Sequence, residues 1–103
     1  MPDNQARLVV SRNAPDDIGF RGLEVYLDGQ LIANLSNGST TEIDLSPGKH
    51  LIRATNSLYS KKEEFEVEAA EVVQYQVSNV MTSVGRVTMA LGSAIYRVNL
   101  QRL

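Results

Sequence analysis

GLEVYLDGQLIANLSNGSTTEIDLSPGKHLIRATN, residues 22 to 56, decides the fold. Leu23, Val25 and Leu27 alternate with Glu24, Tyr26 and Asp28. Successive side chains of a strand point to opposite faces, so the pattern predicts a half-buried β-strand. Asp28-Gly29 follows, a pair that tolerates the positive φ angles of a type I′ turn. Leu31, Ala33 and Leu35 resume the alternation, with Ile32 and Asn34 on the other face, and complete a two-residue hairpin. Ser36-Asn37-Gly38-Ser39 breaks the chain again. Thr41, Ile43 and Leu45 then share one face, with Glu42 and Asp44 opposite. Ser46-Pro47-Gly48 reads as a turn, since Pro fixes φ and Gly accepts positive values. Lys49 to Thr55 reads as a return strand, with Ile52 and Ala54 inward. Two closely spaced hairpins predict an all-β sandwich or barrel.

The flanks extend the pattern. Residues 1–5 read as a frayed terminus. Ala6 to Arg12 forms a first strand with Leu8 and Val10 in the core. Asn13 to Arg21 is a loop, with Ile18 and Phe20 as apolar residues tucked under the sandwich. Asn56 to Lys62 connects to the strand Glu63–Ala69, where Phe65, Val67 and Ala69 alternate with Glu64, Glu66 and Glu68. Ala70-Glu71 reads as the turn of a third hairpin, with Val73, Tyr75 and Val77 inward on its return strand. Between residues 79 and 93, Val80, Val84, Val87 and Leu91 fall at helical spacing. A short helix near 80–91 therefore competes with a long apolar loop or bulged strand, because β-branched residues and Gly85 disfavour a helix. Ala94 to Arg102 closes the chain, with Tyr96, Val98 and Leu100 on one face.

The turns carry a resemblance. Val25-Tyr26-Leu27-Asp28-Gly29, then Leu45-Ser46-Pro47-Gly48-Lys49-His50, then Leu58-Tyr59, resemble the PEGA-like family of small β-sandwich modules over roughly Gly22 to Val77. Asp-Gly and Pro-Gly turns recur in prealbumin-like and carboxypeptidase-regulatory-like sandwiches too. Leu58 stands where the family usually has Gly, and the family's segment before the first strand is missing. The resemblance implies a non-catalytic accessory of bacterial surface or envelope proteins and no active site.

Composition bounds the rest. A chain of 103 residues suits one domain with one modest core. A net charge of −2 gives no global nucleic-acid footprint. With no cysteine, disulfides, zinc–thiolate sites and thiol catalysis are excluded. No run approaches the roughly 18 apolar residues of a membrane span. MPDNQARLVVSR lacks the pattern of a signal peptide. The chain is thus expected to be cytoplasmic if full length, and to belong to the cell envelope or surface if a fragment or mature domain.

Candidate chemistry is sparse. His50 is the only histidine. With no second histidine or cysteine beside it, it reads as a surface strand residue, since zinc takes three or four clustered ligands. The ladder Glu64, Glu66, Glu68 reads as a solvated outer face, because calcium wants 6–8 oxygens folded around a loop. Asp16-Asp17 with Asp3 is a still weaker calcium arrangement. No nucleophile elbow, phosphate loop or H-E-x-x-H motif occurs. Asn34-Leu35-Ser36 and Asn37-Gly38-Ser39 fit the N-glycosylation pattern, although turn chemistry explains them better.

The charge is unevenly spread. No acid follows Glu71, so the last 32 residues carry +3 and the first 71 carry −5. The run from Val84 through Val87 and Met89 to Leu91 either fills the open end of the sandwich or forms an exposed sticky surface.

These readings converge on an antiparallel immunoglobulin-like or prealbumin-like β-sandwich of 7–8 strands, without catalytic residue, metal or cofactor. The expected role is a binding or spacer module that presents loops or an edge strand to a protein or carbohydrate. Asp28 and Gly29 form its tip, and Tyr26 and Tyr59 are its aromatic anchors. One alternative is a self-assembling homo-oligomer that pairs through the first or last strand or the 84–91 run. Another is a calcium- or sugar-binding lectin-like domain, which the sparse aromatics disfavour.

Overall fold

Strands form where apolar and polar residues alternate, and the computed structural model describes residues 5–15, 17, 22–56, 59–81 and 96–103. The described residues form eight strands, β1 Ala6–Ser11, β2 Leu23–Leu27, β3 Gln30–Leu35, β4 Thr40–Leu45, β5 Gly48–Thr55, β6 Ser60–Val67, β7 Val72–Met81 and β8 Tyr96–Arg102. The described residues contain no helix. Val80 and Met81, the start of the expected helical segment, belong to β7. The rest of that segment lies outside the described residues, together with Val84, Val87, Met89 and Leu91.

The strands build two four-stranded sheets, one ordered β4-β1-β7-β8 and the other β3-β2-β5-β6. The chain is therefore a β-sandwich. All neighbours are antiparallel except β1 and β7, which run parallel at the centre of the first sheet. Inward residues come from both sheets. Leu8 and Val10 of β1 meet Val25 of β2, Ile52 and Ala54 of β5, Phe65 of β6, Val73, Tyr75 and Val77 of β7, and Val98 and Leu100 of β8, all buried in one core. Burial of this apolar set drives the two sheets together.

The Asp28-Gly29 hairpin forms as expected. β2 and β3 pair antiparallel, and φ is 51° at Asp28 and 84° at Gly29. One feature of it differs. The register shifts between Val25 and Tyr26, which places Leu31 opposite Tyr26 and leaves Ile32 as an extra residue. This β-bulge reverses the alternation. Leu31 turns outward, 50% exposed, and Ile32 packs against the core instead.

The other two expected hairpins are corrected. β4 and β5 do not pair; the Ser46-Pro47 step carries the chain from the first sheet to the second. Gly48, at φ 128°, opens β5 rather than ending a tight turn. Likewise β6 and β7 lie in different sheets, so residues 68–71 are a second crossing. Ala69 sits exposed in that turn, beyond the end of β6 at Val67, and takes no place in the core. The true partner of β5 is β6, joined through residues 56–59.

The end of the sandwich beyond Ser11 is closed by buried polar groups. Arg12 continues the inward alternation of Leu8 and Val10 and is fully buried. Its Nε and Nη2 donate to the two carboxylate oxygens of Asp17, at 2.8 and 3.2 Å. Its Nη1 donates to the Leu35 carbonyl at 2.8 Å, and its backbone pairs with Gly38 and Ser39. One guanidinium thus ties the β1–β2 loop to the β3–β4 crossing. Asp17 is spent on this pair, which removes it from the weak calcium arrangement; Asp3 and Asp16 lie outside the described residues. At the same end, Asn56 Nδ2 donates to Asn79 Oδ1 at 3.0 Å in the buried interior.

Removing one partner of a buried ion pair strands the other charge in a low dielectric. Asp17→Asn is expected to destabilise the chain by about 3 kcal/mol in urea denaturation. The exposed pair of Arg7 with Glu42 serves as reference, where Glu42→Gln is expected to cost less than about 1 kcal/mol.

Candidate functional site

The end of the sandwich holding Asp28-Gly29 and Pro47-Gly48 is clamped by the one histidine. His50 shares the inward parity of Ile52 and Ala54 and stands opposite Phe65. Its side chain is only 11% exposed, so the expectation of a surface residue is corrected. The imidazole packs on Phe65, with ring centroids 5.7 Å apart, and Phe65 packs in turn on Tyr75 at 5.5 Å. Nδ1 lies 2.6 Å from Asp28 Oδ2, and Nε2 lies 2.7 Å from the Ser46 carbonyl oxygen. A carbonyl and a carboxylate only accept, so the two bonds are satisfied together only when both ring nitrogens carry a proton, in the imidazolium form. Asp28 Oδ1 accepts from the Leu51 backbone N–H at 2.8 Å. The β2–β3 turn and the β4–β5 crossing are thereby buckled together.

This buckle sets both ionisations. Burial pulls His50 down, but its hydrogen bonds to Asp28 and Ser46 and the Asp28 charge outweigh this and hold it above the ordinary 6.5. For Asp28, burial pulls up, and the bonds from His50 and Leu51 with the His50 charge outweigh it and hold the carboxyl below 3.8. In the imidazolium form both nitrogens are engaged, and neither offers a lone pair to a proton or a metal.

Tyr75 carries a second tie between the sheets. Its hydroxyl donates to Glu63 Oε2. Burial, together with this hydrogen bond and the Glu63 charge, raises the phenol well above its ordinary value, against a smaller opposing effect of Arg102.

The outer face of the second sheet is different in character. Register places Leu31 of β3, Tyr26 of β2, Arg53 of β5 and Lys62 of β6 in one row across four strands. The Arg53 guanidinium lies over the Tyr26 ring, 4.2 Å from its centroid, in a cation–π contact. Leu51 and Glu64 form the next row and Lys49 and Glu66 the one after. The Glu64 and Glu66 side of β6 is exposed on an edge strand, where charge discourages unwanted strand pairing. Among the described residues no group of three or more His, Asp or Glu side chains is placed to hold a metal, and no helix is long and apolar enough to cross a membrane.

The sequence-derived contact residues are not brought to one place. Asp28 and Gly29 form one end of the second sheet, and Asp28 is committed to the buckle. Tyr59 lies in the β5–β6 connection at the other end, 45% exposed, with its N–H donated to Asn56 Oδ1. Tyr26 sits between them on the outer face. Arg53 and Leu31, its neighbours there, were not singled out by sequence. Alternation gives Arg53 as outward, but the bulge that turns Leu31 out has no sequence signal. Comparison with protein-family models, curated proteins and solved structures finds no match to this chain.

The buckle predicts a pH profile. A raised histidine contributes stability that is complete below its unfolded value of 6.5 and lost as pH rises through the higher folded value. The lowered Asp28 contributes stability that is complete above 3.8 and lost as pH falls through its folded value. Urea midpoints are expected to hold a plateau between these values and to decline on the alkaline side. His50→Gln is expected to remove the alkaline decline, because no other histidine titrates there.

Proposed function

We propose that the chain is a non-catalytic binding or spacer module of PEGA-like, prealbumin-like type, and that it presents the outer face of its second sheet to a protein partner. The observation that carries this reading is the Leu31–Tyr26–Arg53 centre on that face. Tyrosine and arginine dominate the energetics of protein interfaces, and a pair already stacked loses little freedom on binding. Charged residues of both signs, Glu24, Lys49, Lys62, Glu64 and Glu66, rim the centre as a polar border does. The commitment of both His50 nitrogens supports the non-catalytic part. Strand order supports the prealbumin-like part. Immunoglobulin sandwiches set their first, second, fourth and fifth strands in one sheet, whereas here β1 and β4 are separated from β2 and β5. A protein suits the face better than a carbohydrate, because Arg53 covers the Tyr26 ring where a sugar would stack.

A self-assembling unit is the second reading, and one observation favours it. β1, one of the two strands expected to pair, lies inside the first sheet and has no open edge. β8 does lie at an edge among the described strands. Its seven residues pair with β7 without a bulge, and it lacks proline and acidic residues, so it is less guarded than β6.

Selection of a random peptide library on the chain separates the two. Ligands of the outer face are expected to lose about 2 kcal/mol of binding with Tyr26→Ala and to be insensitive to Tyr59→Ala and Gly29→Ala. Ligands indifferent to Tyr26 and Leu31, with a mass that rises with concentration, would contradict the face and favour assembly.

A further inference from the structure

The same face holds an electrostatic conflict. Arg53 and Lys62 stand directly opposite each other on β5 and β6. Like charges in that position destabilise a strand pair. Neither makes an ion pair among the described residues, whose pairs are Arg7 with Glu42 and Asp44, Arg12 with Asp17, His50 with Asp28, and Arg102 with Glu71. Acids lie near in the register without engaging them. Glu24 stands opposite Thr55 and Asn34, and Glu64 opposite Leu51. Meanwhile the Arg53 guanidinium carbon lies over the Tyr26 ring, 4.2 Å from its centroid. A guanidinium held over a ring retains its in-plane donors, which match the two oxygens of a carboxylate.

We propose that Tyr26, Arg53 and Lys62 form a seat for an acidic side chain of the protein partner, flanked by the apolar Leu31 and Leu51. This rests on the reading of the face as a docking surface and adds the chemistry of what docks. The surroundings narrow the occupant. Glu24, Glu64 and Glu66 share the face with the seat and the whole chain is at −2, so an extended polyanion such as a nucleic acid or an anionic lipid surface meets these acids and a net repulsion beyond the two cations. A single Asp or Glu on an otherwise neutral, partly apolar protein surface reaches the two cations at the centre and adds only one negative charge to this face. Binding resolves the conflict between Arg53 and Lys62 by placing one negative charge between them.

The test uses the full chain, its amide NMR signals and three heptapeptides. The first is Val-Thr-Val-Glu-Val-Thr-Val, and the other two carry Gln or Lys in place of Glu. The glutamate peptide is expected to shift the amides of residues 24–27, 51–54 and 61–64 saturably. The glutamine peptide is expected to bind about tenfold more weakly or worse, the loss of one charge-assisted contact, and the lysine peptide not to bind. Lys62→Glu is expected to erase the preference for glutamate while raising Tm by about 2 °C, since it replaces a repulsive cross-strand pair with an attractive one.

Equal binding of the glutamate and glutamine peptides would overturn the acidic seat and leave the docking face standing. Failure of every peptide to move these signals would overturn both. Saturation of the same signals by inorganic phosphate at the same concentration would also overturn the proposal, by reducing the seat to a general anion site. A fall in Tm with Lys62→Glu would show that the two cations are not in conflict, and would overturn its premise.

Discussion

The bonds of the His50 imidazolium to Asp28 and Ser46 hold the two ends of a short crossing in place. Two residues, Ser46 and Pro47, separate β4 in one sheet from β5 in the other. A connection this short leaves no slack, so the position of β5 depends on how its first residues are anchored. His50 anchors them twice, through its own bond to the Ser46 carbonyl and through the Asp28 carboxylate, which also receives the Leu51 N–H. Asp28 belongs to the β2–β3 turn, so the same contact sets β2 against β5. The aromatic stack from His50 through Phe65 to Tyr75 then carries the anchoring into the core.

The position of β5 governs the outer face. β5 lies between β2 and β6, and its register with each decides which side chains meet across the sheet. A shift of one residue would send Arg53 inward and Ile52 outward. Both the stacking of Arg53 on Tyr26 and its opposition to Lys62 follow from that register. The buckle at one end of the sandwich and the row of Leu31, Tyr26, Arg53 and Lys62 are therefore linked through the backbone of a single strand. At the opposite end, Arg12 with Asp17 and Asn56 with Asn79 do the corresponding work with buried polar groups. Such groups narrow the ways in which loops can close, at a desolvation cost that their bonds offset.

Much of this was legible in residues 22–56. Alternation located the strands and most core positions, because a period of two is a local property of the chain. Asp28-Gly29 announced its hairpin through backbone preferences that need no tertiary context. Pro47-Gly48, and Ala70-Glu71 between two alternating runs, also read as turns and did not make hairpins. A turn residue reports that the chain reverses; whether the next strand rejoins the same sheet depends on which neighbours compete for the edge. The places of His50 and Arg12 could have been found. His50 is in phase with Ile52 and Ala54, and Arg12 with Leu8 and Val10, so parity pointed both inward against their polarity. The bulge at Leu31-Ile32 and the meeting of Arg53 with Lys62 had no such signal. They depend on register between strands, which a single sequence does not encode locally.

The protonation of the His50 ring tests the buckle most directly. Nitrogen chemical shifts of the imidazole, followed by NMR from pH 5 to pH 9, would report both ring positions at once. Two protonated nitrogens that persist above the ordinary value of 6.5, together with a slowly exchanging Nδ1 proton, are the predicted result. A ring that titrates at or below 6.5 into one neutral tautomer, with both protons in fast exchange, would contradict the buckle and the anchoring of β5 that depends on it.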